Sequence, residues 1–332
     1  MAIECVWTIE DWKQKVRELQ EKTRESGSDE QALQHVITQA WSVLRSYSTS
    51  FYLVTRFLPY PKRKQVELIY AAVRYPDELV DTFALQGCDA HAELDRCERD
   101  YEKALTTEGL RASTSIGLNP FVAAFAEVVK LNSIPVEYYH SFLQAMRSDL
   151  QPQSFATVED LIDGYIYGSA TVVGYFLTHV YGTERPEDFA LALACARDLA
   201  IALQLTNFAR DLCDDYYRGR LYAPLEVLDH SIDCDKPPAD GKVPAVLQSA
   251  RRWLAELAQE KYAAASSNLH LFCRDSRVAV ECCIRVYSLL NQRLLESGQS
   301  LEERLSVPWH QKFAALPPSK YWRVPLAFTG FI

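Results

Sequence analysis

The stretch "RYPDELVD", Arg74 to Asp81, sets two carboxylates four residues apart directly behind a proline. How that proline is read decides the local fold. A helix starting at Pro76 would place Asp77 and Glu78 in its first turn, where they favour the macrodipole. Yet Val66, Ile69, Tyr70 and Val73 continue in helical register to Val80. The register predicts one continuous helix, bent at Pro76, in which the Ala72 carbonyl loses its backbone partner. The bend is expected to restrict Tyr75 and to aim Asp77 and Asp81 at a cavity.

Outward from this stretch the same periodicity recurs almost throughout. Val36, Ile37, Ala40, Trp41 and Leu44 form one apolar stripe, preceded by Ser28 and Gln31 in a capping-box pattern. Asn119-Pro120 reads as an N-cap with proline at the first helical position. Thr157 to Asp160 reads as another cap, ahead of a run to about Tyr181. A further helix is expected from about Pro186 to Tyr217, with Gly219 as its stop. Asp229 to Lys242 is the clearest loop, and helices follow at about Val243–Leu269 and Ser276–Ser297. No strand alternation or fixed-period repeat emerges. The expectation is an all-α fold, one domain over residues 1–332.

With 332 residues, 48% of them hydrophobic, the chain has material for a large core. A net charge of −9 without a basic block argues against nucleic acid as a partner. Nine cysteines lack any CxxC pair or Cys/His ligand spacing, and an odd, scattered count reads as reduced thiols in a cytoplasmic protein. The N-terminal residues carry charges where a signal peptide needs an apolar run. The longest apolar stretch, Ala170 to Tyr181, is too short to span a bilayer.

Asp77 and Asp81 share a face, and so do Asp211 and Asp215, with Leu203 and Asn207 further back on the second stripe and Gln204 beside them. Like charges at this spacing repel, and acidic side chains among apolar neighbours are unfavourable unless paired or metal-bound. Hard oxygen donors in this arrangement suit Mg²⁺, which is commonly shared with substrate phosphates. A third pair, Asp229 and Asp233, borders the polar loop without companions and reads as a solvated turn. Spacing alone is weak evidence. Apolar context and nearby Arg74, Arg210, Arg218 and Arg220 set the first two pairs apart.

"SFYLVTRFLPYPKRKQVELIYAAVRYPDELVD" (Ser50–Asp81) and "IALQLTNFARDLCDDYYRGRLYAP" (Ile201–Pro224) resemble the two conserved regions of squalene/phytoene synthases. "FLQAMRSDL" and "YIYGSATVVG" match between them in order and spacing, so the resemblance covers about residues 40–312. It implies an isoprenoid-synthase-type helical bundle around a central apolar cavity, joining two allylic prenyl diphosphates head to head. It also implies that Asp77, Asp81, Asp211 and Asp215 hold Mg²⁺, or Mn²⁺ in its place, with Asn207 adding a metal or phosphate contact. Ser50, Arg74 and Arg218 would contact phosphate oxygens. Tyr70, Tyr165 and Tyr287 would line the cavity, Tyr287 towards the diphosphate, and Gln204 would stand near the reacting centre. Read alone, Tyr70 and Tyr165 are ordinary core tyrosines, and Arg218 and Arg220 merely suit a helix C-terminus.

The chemistry accounts for these residue types. Diphosphate departs once its charge is neutralised, and the allylic cation left behind needs a dry, aromatic-lined site. The resemblance leans towards phytoene from two geranylgeranyl diphosphates. The alternative is a C15 synthase making squalene, presqualene diphosphate or dehydrosqualene, with NADPH needed only for squalene. A non-catalytic scaffold would be expected to lose the acidic stripes, and a terpene cyclase uses a different motif pair. Glu78 stands where many members carry aspartate, and Cys213-Asp214-Asp215 where most carry Gly-Glu-Asp. Lys312, in "SVPWHQKF", aligns loosely with a basic region that meets diphosphate. The chain lacks the C-terminal membrane helix of eukaryotic squalene synthases. Greasy substrates predict peripheral membrane contact, without a basic patch to strengthen it.

Overall fold

The structure, a computed structural model, describes residues 7–151, 153–228, 246–296, 301 and 304–328. The chain divides into two compact helical units: residues 7–55 with 59–150, and residues 56–58 with 151 onward. Among the described residues there is no strand, only two isolated bridges, Gln153 with Arg220 and Thr183 with Phe272. The all-α expectation holds. The loop Asp229–Lys242 and the Asp229/Asp233 pair lie outside the described residues.

The first unit contains α1 (Ile9–Glu25), α2 (Asp29–Tyr47), α3 (Thr49–Thr55), α4 (Tyr60–Glu78), α5 (Ala90–Thr106), α6 (Leu110–Ser115), α7 (Pro120–Leu131) and α8 (Glu137–Ser148). The stripe read on α2 is inward: Val36, Ile37, Ala40 and Leu44 are buried and Trp41 is half-buried. Ser28 caps α2 through Gln31 N–H as read. The return bond differs, because the Gln31 side chain accepts from Gly27 N–H at 2.8 Å and not from Ser28. Asn119 caps α7 through Phe121 N–H, with Pro120 at the first position.

Pro76 lies inside α4, so the helix does not begin there. The carbonyl of Ala72, which a non-proline at 76 would have engaged, accepts instead from the Tyr139 hydroxyl of α8 at 3.0 Å. Tyr139 is fully buried in an aromatic cluster, 4.7 Å from Tyr101 and 5.0 Å from Phe125 between ring centroids. A buried carbonyl left without a donor is unfavourable, and this hydroxyl removes the penalty. Past Glu78 the helix widens into a π turn, Leu79–Phe83, before closing as 3₁₀ at Ala84–Gln86. Asp81 sits in the π turn. The ideal four-residue alignment with Asp77 read from the sequence is therefore replaced by a wider turn, a form common at functional sites.

The second unit runs through α9 (Val158–Leu161), a ten-residue π stretch (Ile162–Thr171), α10 (Val172–Tyr181), a 3₁₀ turn (Pro186–Asp188), α11 (Phe189–Tyr217), α12 (Val246–Ser267), α13 (Arg274–Glu296), α14 (Trp309–Ala315) and α15 (Lys320–Phe328). Thr157 and Asp160 form the capping box read from the sequence. Pro186–Tyr217 is long and apolar enough to cross a membrane by length and composition. It packs instead on α10, α12 and α13. Thr206 on α11 meets the Tyr262 hydroxyl of α12 at 3.0 Å, and buried Asn291 of α13 donates to the Ala255 carbonyl at 2.9 Å. Gly174 on α10 permits close approach to α11, since a β-carbon there would stand 3.2 Å from the Ala196 carbonyl oxygen. Gly219, at φ +74°, follows the end of α11 in the left-handed conformation expected of a helix stop.

The Ala72–Tyr139 bond gives a direct test. Tyr139→Phe is expected to destabilise the protein by about 1–3 kcal/mol in urea denaturation, because the Ala72 carbonyl is left unpaired. In a Pro76→Ala background, where residue 76 regains its N–H, the same change is expected to have a smaller effect. An equal loss in both backgrounds contradicts this account of the bend.

Candidate active site

In the first unit, Arg74, Asp77 and Glu78 lie near the C-terminal end of α4 and Asp81 lies inside the π turn. The Arg74 guanidinium donates to Asp77 Oδ2 at 2.5 Å and to Glu78 Oε1, and lies 4.6 Å above the Tyr47 ring. Burial opposes the Arg74 charge, but Asp77, Tyr70, Glu78 and Asp81 outweigh it and hold its pKa above the usual value. Asp77 moves up as well. Burial is the main cause, Arg74 counters it, and Asp81, Glu78 and Asp149 add repulsion. Asp149, buried at the end of α8, went unnoticed in the sequence although "FLQAMRSDL" was singled out. Three carboxylates thus crowd one guanidinium, with a fourth nearby. Ser50 lies on α3 and Tyr70 on α4, both half-buried, with the Phe51 ring 5.9 Å from that of Tyr70.

In the second unit, Gln204, Asn207, Asp211 and Asp215 are all half-buried on α11. Asp211 is gripped by two arginines. Arg210 Nε donates to Oδ1 at 2.8 Å and its Nη2 to Oδ2, while Arg304 Nε reaches Oδ1 at 2.8 Å. Burial would raise the Asp211 pKa, but these contacts hold it below the usual carboxylate range. Arg304 was not read from the sequence: it precedes α14 and belongs to neither quoted motif. Arg210 also feels Tyr287 and Asp215, and it depresses the pKa of Lys312, which burial already lowers. One arginine therefore gathers residues of α11, α13 and α14. The Asp215 carbonyl accepts from Arg218 N–H at 3.0 Å and Arg220 N–H at 2.9 Å, so Arg218 itself closes the helix.

Tyr165 lies in the π stretch and is buried. Its hydroxyl accepts from Tyr222 at 3.3 Å, and its ring stacks on that of Tyr222 at 4.8 Å. Tyr222 in turn stacks on Phe208 of α11 at 4.4 Å. The aromatic wall is built by packing between α11 and the segment after it, which one-dimensional spacing does not reveal. On α5 and α8, Glu98, Glu102 and His140 bring three ligand atoms within 4.8 Å of one another.

The model of the squalene/phytoene synthase family matches residues 44–311. The chain belongs to the squalene/phytoene synthase family. A 15-cis-phytoene synthase of Paracoccus sp. is 28% identical over 276 residues, covering 81% of this chain and 86% of that protein. A 15-cis-phytoene synthase of Enterobacter agglomerans is 28% identical over 272 residues, 81% and 90% of the two chains. A 4,4'-diapophytoene synthase of Staphylococcus haemolyticus is 25% identical over 268 residues, 80% and 89%. Among solved structures, a dehydrosqualene synthase in complex with ligand has a TM-score of 0.70 at 24% identity, covering 90% of this chain and all of that one. A squalene synthase of Alicyclobacillus acidocaldarius gives 0.62 at 24% identity, over 79% and 92%. These structures share the all-helical fold. The family match spans both acidic stripes and Arg304.

The aromatic wall is expected to stabilise the fold. Phe208→Ala should lower stability by about 3–5 kcal/mol in urea denaturation. Tyr222→Phe, which removes only a hydroxyl, should lower it by less than about 1.5 kcal/mol. Equal losses for the two variants contradict a wall held by ring packing.

Proposed function

We propose that this chain is a divalent-metal-dependent prenyltransferase that condenses two geranylgeranyl diphosphates head to head into phytoene. The observation that carries the reading is the pair of acidic stripes, each beside arginine, inside the family match. The C20 substrate follows the relatives named 15-cis-phytoene synthase. A second reading, a C15 synthase, is favoured by the likeness to 4,4'-diapophytoene synthase.

The donor set fits Mg²⁺. Asp77, Asp81 and Asn207, Asp211, Asp215 offer hard oxygens, and burial, with added repulsion from Asp81, Glu78 and Asp149, raises the Asp77 pKa against the pull of Arg74. Bound Mg²⁺ supplies neutralisation of diphosphate charge, which lowers the barrier to its departure. Arg304 and Arg210 already occupy the Asp211 oxygens, so ligation by Asp211 requires at least one of them to let go. A released guanidinium has diphosphate oxygens as its natural new partner.

The remaining steps fall to this chain's own side chains. Arg74, Arg218 and Ser50 orient phosphate oxygens. Departure of the first diphosphate breaks its C–O bond and leaves an allylic cation. Attack by the double bond of the second substrate, with loss of a proton, closes a cyclopropylcarbinyl diphosphate. Loss of the second diphosphate, rearrangement and a further proton loss give phytoene, with no external reductant. Tyr70, Tyr165 and Tyr287 present ring faces that stabilise cations without capturing them. Gln204 stands beside the reacting centre. Membrane contact, through which greasy substrate would arrive, is peripheral in this reading.

Purified protein supplied with Mg²⁺ and geranylgeranyl or farnesyl diphosphate, with and without NADPH, tests the reading by product mass. A C40 hydrocarbon formed without NADPH is expected. Asp81→Ala and Asp215→Ala should each reduce its formation at least about 100-fold. Arg304→Ala should retain folding and lose at least about tenfold. A C30 product moves the reading to the C15 synthase, and no consumption of either diphosphate overturns it.

A further inference from the structure

The contact between α5 and α8 holds a further set of ligand atoms. Glu98 and Glu102 are one turn apart on α5, and His140 faces them from α8. His140 Nδ1 lies 2.9 Å from Glu98 Oε1. The other Glu98 oxygen accepts from Arg147 Nη2 at 2.5 Å, and Arg147 also reaches Asp95 Oδ1 at 2.8 Å. The edge of Tyr101 packs on the imidazole, with centroids 5.7 Å apart and planes at 71°. Glu102 is exposed, and one of its carboxylate oxygens lies within 4.8 Å of the other two ligand atoms.

Ordinary ion pairs account for Arg147 and His140 at Glu98, and they leave the second carboxylate, that of Glu102, without a role. The two oxygens of Glu98 are divided between tasks. Arg147 fixes Oε2, as outer hydrogen bonds fix ligating carboxylates, so that Oε1 is presented singly. Tyr101 limits the ring orientation of His140. Tetrahedral coordination by nitrogen and oxygen at about 2.0–2.1 Å sets donors roughly 3.3 Å apart. His140 and Glu98 need to separate by a few tenths of an ångström, and exposed Glu102 needs only to swing inward. One imidazole nitrogen with two carboxylates suits Zn²⁺ better than Mg²⁺, which prefers oxygen and water.

We propose that Glu98, Glu102 and His140 bind one Zn²⁺ ion, completed by water, that fastens α8 to α5. The neighbour of His140 is Tyr139, whose hydroxyl holds the Ala72 carbonyl one turn before Pro76 in α4. A clamp on α8 therefore bears on the segment that carries Asp77 and Asp81. The site uses none of the residues assigned to prenyl transfer and stands or falls without that assignment.

The test uses full-length protein carrying Asp81→Asn and Asp215→Asn, which disable the acidic stripes, stripped of metal with a chelator. Zn²⁺ is titrated in competition with a chromophoric chelator, and melting temperature is followed alongside. One Zn²⁺ per chain and a rise in melting temperature are expected. Adding His140→Gln or Glu102→Gln should weaken Zn²⁺ binding at least about tenfold and abolish the rise. Should His140→Gln fail to fold, Glu102→Gln decides, because its side chain is exposed. No Zn²⁺ taken up on titration of the protein with Glu98, Glu102 and His140 intact, or unchanged affinity with Glu102→Gln, overturns the proposal.

Discussion

The hydroxyl of Tyr139 and the carbonyl of Ala72 form the bond on which the first acidic stripe rests. Proline at 76 takes a donor out of the middle of α4, and a buried acceptor follows from it. Without a replacement donor the helix would have to break or admit water. Tyr139 supplies that donor from a helix distant in sequence, within an aromatic cluster that holds the ring in place. The helix then continues past the proline and widens into the π turn that carries Asp81. Local irregularity, not regular helix, sets the carboxylates.

The two acidic stripes are electrostatically unlike. Around Arg74, burial first and the neighbouring carboxylates second push Asp77 towards its neutral form. Around Asp211 the balance is reversed, with Arg210 and Arg304 holding the carboxylate charged. At the second stripe the Asp211 charge is matched by two guanidinium groups. The same residue pattern in sequence thus has two physical meanings, separated by where the arginines stand.

Most of the helical organisation was legible, because caps and apolar periodicity are short-range properties. Asn119, Thr157 and Gly219 each terminate a helix as their residue types dictate. The continuous helix through Pro76 followed from register alone. The donor that makes it tolerable did not, since Tyr139 lies 67 residues away from Ala72. The π turns were also hidden, because they insert no marker residue and alter only hydrogen-bond register. Candidate site residues on α4 and α11 were found through their motifs. Asp149 and Arg304 were missed because each acts through a contact made in three dimensions. Tyr165 could be named but not placed, since its surroundings come from Phe208 and Tyr222.

The central claim is that both acidic stripes grip prenyl diphosphate through a divalent metal. Calorimetric titration with an unreactive geranylgeranyl thiodiphosphate analogue addresses it without relying on turnover. Binding is expected with Mg²⁺ and absent without it, and either Asp81→Asn or Asp215→Asn should weaken it at least about tenfold. Equal affinity with and without Mg²⁺, or an affinity that neither substitution changes, contradicts the account.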